Sequence, residues 1–259
     1  MIKFATLTIC MKNQVPNIIS ILSLILSCLA IVLIFDNKLD IAAYLLIGSC
    51  ICDFFDGFAA RALKVNNPIG KEIDSLVDMV AFGVAPGMLL YKFLELLQKE
   101  NPVQLLTNYP WLLYLAVLIP ILSAIRLAKF NIDTRQTKSF IGLAVPAHAS
   151  FYIFVVIIYL HPDLPKIIDV DSLVMPIVSN PLIILVLGVL LSFMLIAEVP
   201  MFSLKVKNLK WSENKLPLTF LFIWLALLAL TNIVAMPTII VLYIIWSIIA
   251  NFKNKPLTS

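Results

Sequence analysis

Apolar runs long enough to cross a lipid bilayer recur along this sequence. A helix rises 1.5 Å per residue, so about 20 residues are needed to cross roughly 30 Å of hydrocarbon. The composition agrees, because 61% of the residues are hydrophobic and only 13% are charged, whereas soluble domains are about a quarter charged. The sequence predicts an all-α, polytopic integral membrane protein. The eight candidate helices are 17–35, 41–60, 75–97, 111–128, 142–160, 181–200, 217–234 and 237–252.

The basic residues indicate how these helices are oriented. Of the 19 Lys and Arg residues, fifteen fall in the N-terminus, in the segments after helices 2, 4 and 6, and in the C-terminus, and four fall on the opposite side. Such residues collect on the cytoplasmic side of a membrane. We therefore expect an even number of helices, with both termini on the cytoplasmic side of the cytoplasmic (inner) membrane. Eight helices satisfy this, as would six with a re-entrant last hairpin.

Four aspartates lie in and around the second and third helices. Asp53 and Asp56 are three residues apart, and Asp74 and Asp78 are four apart, so each pair lies on one helix face. Inserting a carboxylate at the centre of a bilayer costs about 2.5–3.5 kcal/mol of free energy on insertion scales. The intervening loop is short, so the two helices are antiparallel neighbours whose aspartates can converge. Clustered carboxylates form a hard, all-oxygen site, which suits Mg²⁺ or Mn²⁺ better than zinc.

Small residues share the faces that carry these aspartates. They are Gly57, Ala60 and Gly70. Small side chains allow membrane helices to approach closely, and they also let a flat ligand reach the backbone. Both interpretations are open, and they are compatible with each other.

The spacing D-x2-D-G-x2-A-R-x8-G-x3-D-x3-D, which runs from Asp53 to Asp78, resembles the signature of the CDP-alcohol phosphotransferase family. The opening of the first helix, Pro16-Asn17-Ile-Ile-Ser20, is similar to the family as well. The resemblance implies one membrane domain over 1–259, with a six-helix core at 15–205, its site open to the cytoplasmic leaflet. The helices at 215–252 would be a C-terminal addition, a tight hairpin or a kinked pair. A homodimer is also implied.

The resemblance further implies a reaction and its residues. CDP-diacylglycerol would donate a phosphatidyl group, and the four aspartates would hold the cofactors of the family, two Mg²⁺ or Mn²⁺ ions. Asp78 would also act as general base. The residues implied in binding the donor are Asn17, Gly57, Ala60, Arg61, Lys64 and Gly70. Helix capping is an alternative for Asn17, and reaching toward the bilayer surface is an alternative for Lys64.

Further stretches, at 74–86, 126–131, 139–147 and 199–205, resemble the branch of the family whose acceptor alcohol is L-serine. Serine carries a carboxylate, which a planar, bidentate guanidinium matches well. The acceptor-binding residues expected on this basis are Arg126, Lys129, Asn131, Ser139 and Phe140. For Lys129, membrane topology and contact with anionic lipid are equally good explanations.

Other interpretations remain open at this point. The acceptor could instead be glycerol 3-phosphate or inositol phosphate, since several basic residues lie near Arg126. A cation transporter is less consistent, because its acidic residues would spread over several helices. No nucleic-acid partner is expected. His148 and the cysteines are interpreted as packing residues, the latter reduced, and the role of Glu198 is undecided between pairing and the site.

Overall fold

Helices make up almost all of this computed structural model. It describes residues 2–64, 68–133, 140–164, 167–201 and 215–254, without the side chains of 2–13, 140, 215–216 and 250–254. The first helices are α1 (Ile2–Phe35), α2 (Leu39–Ala62), α3 (Pro68–Asp78), α4 (Ala85–Glu100), α5 (Gln104–Asn108) and α6 (Leu118–Ile132). They are followed by α7 (Val145–Leu160), α8 (Asp171–Val178), α9 (Pro181–Ile196), α10 (Lys215–Thr231) and α11 (Ala235–Asn254). Two short strands, β1 (Phe140–Ile141) and β2 (Pro200–Met201), pair antiparallel.

Several helices are long and apolar enough to cross a membrane. Among the described residues these are Gln14–Phe35, Leu39–Ala62, Pro68–Glu100, Pro110–Ile132 and Pro217–Ile249. Helices α8 and α9 meet at 79° and add a sixth if they form one span, and α7 is apolar but shorter. The expectation of an all-α membrane protein is confirmed. The count of eight helices and the C-terminal hairpin remain predictions.

Two helix starts differ from the hydropathy pattern. The third span begins at Pro68, whereas the hydropathy pattern predicts a start at 75. The first turns of α3 carry exposed polar residues such as Lys71 and Glu72, so a search for apolar runs does not detect them. Helix α7 begins at Val145 instead of 142. Gly142 has a φ of +77°, and its N–H donates to the carbonyl of Val199 at 2.9 Å, so the chain turns there before the helix can start.

Helices α1 and α2 pack against each other along much of their length. The buried face of α1 repeats at intervals of three and four residues, and so does the facing side of α2, which is the repeat of one face of a helix. Most of these residues are small, which lets the two backbones approach. The buried positions among the described side chains are Pro16, Ser20, Ser23, Ser27, Ala30 and Ile34 on α1, and Leu39, Ala42, Ala43, Leu46, Ser49 and Asp56 on α2.

The apolar core lies between α4, α6, α7 and α9. Close contacts at glycines hold these helices together. A Cβ on Gly87 of α4 would meet Cδ of Pro120 at 2.8 Å, and one on Gly188 of α9 would meet Leu90 at 3.0 Å. In the last two helices, the rings of Phe220 and Tyr243 lie 5.8 Å apart between centroids. The core therefore supports α2 and α3 from one side and leaves their junction open.

Candidate functional site

Three of the four aspartates converge where α2 ends and α3 begins. Asp53 and Asp56 on α2 and Asp74 on α3 each offer a carboxylate oxygen, and these oxygens lie within 4.8 Å of one another. Asp56 is buried, and the other two are half-buried. The three- and four-residue spacings bring the carboxylates together because α2 and α3 both pack against α1.

Asp78 lies one turn beyond Asp74 and completes the cluster. Its carboxyl group is within hydrogen-bonding reach of the Asp53 carboxyl group. Its Oδ1 atom is buried and has no assigned hydrogen-bond partner in the described part of the chain. A buried carboxylate oxygen without a partner is costly, so this position favours a ligand that accepts electron pairs.

A π-helical stretch, Met79–Val84, begins directly after Asp78. The N–H of Ala85 bonds to the carbonyl of Val80, which adds a residue to the turn. An extra residue rotates the following side chains by about 100° relative to those before. The aspartates of α3, Asp74 and Asp78, therefore point in a different direction from the residues of the π-helical stretch that pack in the core. Gly83 is one of these core residues, and a Cβ there would meet Ser123 at 3.2 Å.

The carboxylates fit a hard divalent cation. All four are oxygen donors, as such cations require. Within the described ranges, no salt bridge pairs a basic side chain with any of the four aspartates. The cluster therefore combines oxygen donors, a buried oxygen without a partner and uncompensated negative charge.

A pocket of about 110 Å³ opens beside the aspartates, and we name it the glycine pocket. Its lining residues are Pro16, Asn17, Ser20, Asp56, Gly57, Ala60, Gly70, Lys71 and Asp74. Four of the residues predicted to bind the donor are among them. The pocket exists because the facing surfaces of α2 and α3 lack large side chains.

The other predicted donor residues lie outside this lining. The Nη1 atom of Arg61 is 3.3 Å from the position a Cβ would occupy on Gly57, which places its exposed guanidinium beside the pocket. Lys64 is exposed and has a φ of +54° in the turn that ends α2. Lys71 also lines the glycine pocket, and sequence reasoning missed it although it follows Gly70 directly.

A second pocket, of about 230 Å³, lies on the other side of Asp78, and we name it the arginine pocket. It is lined by Asp78, Arg126, Leu127, Phe130, Ala144, Val145 and Pro146. Arg126 is only 4% exposed, and its Nε donates to the carbonyl of Leu143 at 3.3 Å. Its guanidinium carbon lies 5.5 Å from the centre of the Phe130 ring. The pocket thus joins a carboxylate and an oriented guanidinium.

The remaining residues predicted to bind the acceptor are placed differently. Lys129 is exposed and is absent from the pocket lining. Asn131 donates from Nδ2 to Oγ of Ser75 at 3.0 Å, which ties α6 to the residue next to Asp74. Ser139 lies outside the described residues. Phe140 pairs with Met201 through its backbone, and its side chain lies outside the described part.

Three further sequence interpretations concern residues away from the pockets. His148 is fully buried, with Nε2 2.8 Å from the Tyr152 hydroxyl, as a packing residue would be. The thiols of Cys28, Cys50 and Cys52 are free. Glu198 is exposed and lines neither the glycine pocket nor the arginine pocket.

One partner of the aspartates was not anticipated from the sequence. Ser20 on α1 donates from its hydroxyl to Oδ2 of Asp56 at 2.7 Å. The recurrence of serine at positions 20, 23 and 27 marks a hydroxyl-bearing face, but which residue of α2 it meets depends on how the helices pack.

Membrane helices with convergent carboxylates beside two small pockets define an integral membrane protein with a candidate site for divalent cations. A model of the family described as CDP-alcohol phosphatidyltransferase matches residues 13–178, well over half of the chain. The chain belongs to this family. Its members use divalent metal ions, and the matched range includes all four aspartates and Arg126.

Individual relatives agree with the family match. The chain is 34% identical over 135 residues to the CDP-diacylglycerol–serine O-phosphatidyltransferase of Bacillus subtilis, covering 52% of this chain and 70% of that protein. It is 33% identical over 146 residues to the enzyme of the same name from Helicobacter pylori J99, covering 55% and 57%. An archaetidylserine synthase from Methanothermobacter thermautotrophicus is 31% identical over 144 residues, covering 53% and 57%. The matches thus span little more than half the length of the latter two relatives.

Proposed function

We propose that this protein is a phosphatidylserine synthase, which transfers the phosphatidyl group of CDP-diacylglycerol to the hydroxyl of L-serine and releases CMP. The observation that carries this proposal is that Asp78 and Arg126 line one small pocket, beside a second pocket that Asp56 and Asp74 line. An acceptor in the arginine pocket would thus lie next to a carboxylate base and across the aspartates from the donor. The names of the relatives support the same reaction.

In the proposed reaction, the serine hydroxyl oxygen forms a bond to the phosphorus that carries the diacylglycerol group. The bond between that phosphorus and the oxygen bridging to the cytidine phosphate breaks, and CMP leaves with the electron pair. Asp78 accepts the hydroxyl proton as the new bond forms, in the role of a general base. Divalent ions bound to the aspartates would neutralise the diphosphate and stabilise the leaving group. We propose two ions, Mg²⁺ or Mn²⁺, held by Asp53, Asp56, Asp74 and Asp78.

We propose that the glycine pocket receives the cytidine diphosphate end of the donor. Gly57, Ala60 and Gly70 would let the nucleotide approach the helix backbones, and Asn17 lies at the edge of the same lining. Arg61 and Lys71 would contribute positive charge near the diphosphate, and Lys64 would add charge in the adjoining turn. Both substrates would then approach the aspartates from different sides.

The arginine pocket favours serine over the phosphorylated acceptors of sister enzymes. Among the described residues that line it, Arg126 is the one basic residue, which matches a single carboxylate. A phosphate monoester carries up to two negative charges and calls for more donors. We therefore propose Arg126 as the carboxylate-binding residue. Lys129, Asn131, Ser139 and Phe140 are proposed only as neighbours of the acceptor site.

We also propose a cellular arrangement. The distribution of basic residues supports the inner membrane, with both termini and the site on the cytoplasmic side. The contact between Phe220 and Tyr243 supports a C-terminal hairpin at 215–252 added to a core at 15–205, for about eight helices. A homodimer is proposed from the family resemblance. Reporter fusions at the C-terminus and cross-linking in membranes test the topology and the dimer.

The test of the activity is transfer from CDP-diacylglycerol by the purified protein in mixed micelles. Labelled serine, glycerol 3-phosphate and inositol phosphate are supplied separately, with Mg²⁺, Mn²⁺ or a chelator. We expect label in lipid from serine only, dependent on the metal, with CMP formed in equal amount. Transfer to glycerol 3-phosphate without transfer to serine would refute the proposed acceptor. Activity retained by Asp74→Asn in the chelator would refute the metal site.

A further inference from the structure

A seam of buried hydroxyl groups runs between α1 and α2, away from the aspartates. The Ser49 hydroxyl lies 2.7 Å from that of Ser23 and 2.8 Å from that of Ser27. All three side chains are fully buried. Further hydrogen bonds reach the backbone, from Ser23 to the Ser49 carbonyl at 3.1 Å and from Ser27 to the Ser23 carbonyl at 2.9 Å. The seam therefore fixes the register of the two helices.

Ser20 continues this seam toward the site and ends it at Asp56. Its hydroxyl carries one proton and has two acceptors in reach, Oδ2 of Asp56 at 2.7 Å and the Pro16 carbonyl at 3.1 Å. A hydrogen bond to a carboxylate is shorter and about twice as strong as one to a neutral group. The proton is therefore directed to Asp56. Both residues are buried, at 3% and 5% exposed, so water competes little for this bond.

We propose that Ser20 is a positioning residue for the metal ligand Asp56. By occupying one oxygen of the carboxylate, Ser20 would fix its rotation and leave its remaining electron pairs for a cation shared with Asp53 and Asp74. Hydrogen bonds to metal ligands commonly have this effect on metal affinity. The inference rests on the metal site of the proposed function, and it assigns to α1 a part in that site that the four aspartates do not reveal.

The seam explains why the hydrogen-bond donor to Asp56 comes from α1. A serine on a mobile element would lose entropy each time it oriented the carboxylate, whereas Ser20 is held in place by the pairing of its own helix. The intervals from Ser20 to Ser23 and Ser27 keep all three hydroxyls on the face toward α2. Within the described residues, Ser27 makes one hydrogen bond across the same interface, to Ser49, and none to an aspartate. Ser27 is therefore the matched control.

The test measures Mn²⁺ affinity of the full chain in detergent, without substrates, by electron paramagnetic resonance. The variants are Ser20→Ala, Ser20→Thr and Ser27→Ala, with thermal unfolding of each measured in parallel. We expect Ser20→Ala to weaken Mn²⁺ binding roughly 10- to 100-fold. Ser20→Thr, which keeps a hydroxyl, should stay within about threefold of the wild type, and so should Ser27→Ala, although it too removes a buried hydrogen bond.

Equal losses of affinity in Ser20→Ala and Ser27→Ala would overturn the inference and assign Ser20 to helix packing alone. Unchanged affinity in Ser20→Ala would overturn it as well. If the alanine variant does not fold, Ser20→Cys, with a weak donor of similar size, takes its place under the same criteria. Because no substrate is present, the result is separate from the proposed activity: Mn²⁺ binding that follows these expectations would stand even if no transfer to serine occurred.

Discussion

Asp78 and Arg126, which lie on α3 and α6, line the same pocket although a long stretch of sequence separates them. Asp78 belongs to the carboxylate cluster, and Arg126 is held from behind by the Leu143 carbonyl and beside the Phe130 ring. This relationship connects the proposed metal site to the proposed acceptor site.

Replacing Arg126 by lysine is expected to impair serine binding selectively. Lysine is a single-point donor and cannot reproduce the bidentate contact of a guanidinium, so the KM for serine should rise at least tenfold, or about 1.4 kcal/mol. The KM for CDP-diacylglycerol should stay within about twofold. Steady-state kinetics with each substrate varied in turn measures both constants. Lys129→Gln, on the exposed side of the same helix, is the control and should change neither constant.

A rise in the KM for CDP-diacylglycerol alone in Arg126→Lys would assign the arginine to the donor and contradict the proposed arrangement of the pockets.

Asp78→Asn is expected to reduce kcat by at least a hundredfold, since a general base contributes about 10²- to 10⁴-fold and this residue is also a proposed ligand. Single-turnover formation of CMP at saturating serine and metal measures the chemical step. Asp36→Asn, an exposed aspartate between α1 and α2, controls for the loss of one negative charge. Near-normal CMP formation in Asp78→Asn would rule out its role as the base.

Gly57→Ala is expected to weaken donor binding without unfolding the protein. Apart from the backbone of α2 itself, the only described atom within 4 Å of the added Cβ is the end of the exposed Arg61 side chain, at 3.3 Å, so the helices can accept the methyl group while the glycine pocket loses space. The KM for CDP-diacylglycerol should rise roughly tenfold or more, as for one methylene in a fitted pocket.

The control for Gly57→Ala is Gly48→Ala, two turns earlier on α2, where the added Cβ would meet Leu26 at 3.3 Å. That variant should leave the KM for CDP-diacylglycerol unchanged. The same increase in both variants would indicate a general disturbance of α2 and would contradict a nucleotide site at Gly57.

Tyr152→Phe is expected to lower stability while leaving catalysis intact. The Tyr152 hydroxyl lies 2.8 Å from Nε2 of His148 and 3.3 Å from the Gly188 carbonyl. Its removal leaves these buried groups of α7 and α9 without this partner, which should lower the free energy of unfolding by about 1–3 kcal/mol. The midpoint temperature of thermal unfolding in detergent should fall by several degrees, while turnover per folded molecule stays normal. Tyr109→Phe, at an exposed tyrosine, should unfold like the wild type.

A substantial part of the candidate site could be predicted from the sequence because it is local. Asp53 and Asp56, like Asp74 and Asp78, are close in the chain, and the helical repeat alone puts each pair on one face. The start of α3 was predicted too late, since its first turns are polar and hydropathy responds only to apolar runs. The start of α7 was predicted too early, because the turn at Gly142 has no signal in hydropathy.

The acceptor residues show where such prediction stops. Arg126 and Lys129 are neighbours in one motif and have the same charge, yet the first is buried in a pocket and the second is exposed. Their difference arises from which face of α6 meets the π-helical stretch and α9. That choice depends on the fit of side chains from several helices, so the sequence of α6 alone does not contain it.

The sequence by itself determined the membrane class, the four carboxylates and their spacing, and the likeness to a family, because these depend on composition and on intervals of three and four residues. Only the tertiary structure decided that Ser20 meets Asp56, that Arg126 shares a pocket with Asp78, and that Lys129 does not. Those contacts join residues far apart in the chain, and the packing of small side chains between helices sets them within a fraction of an ångström.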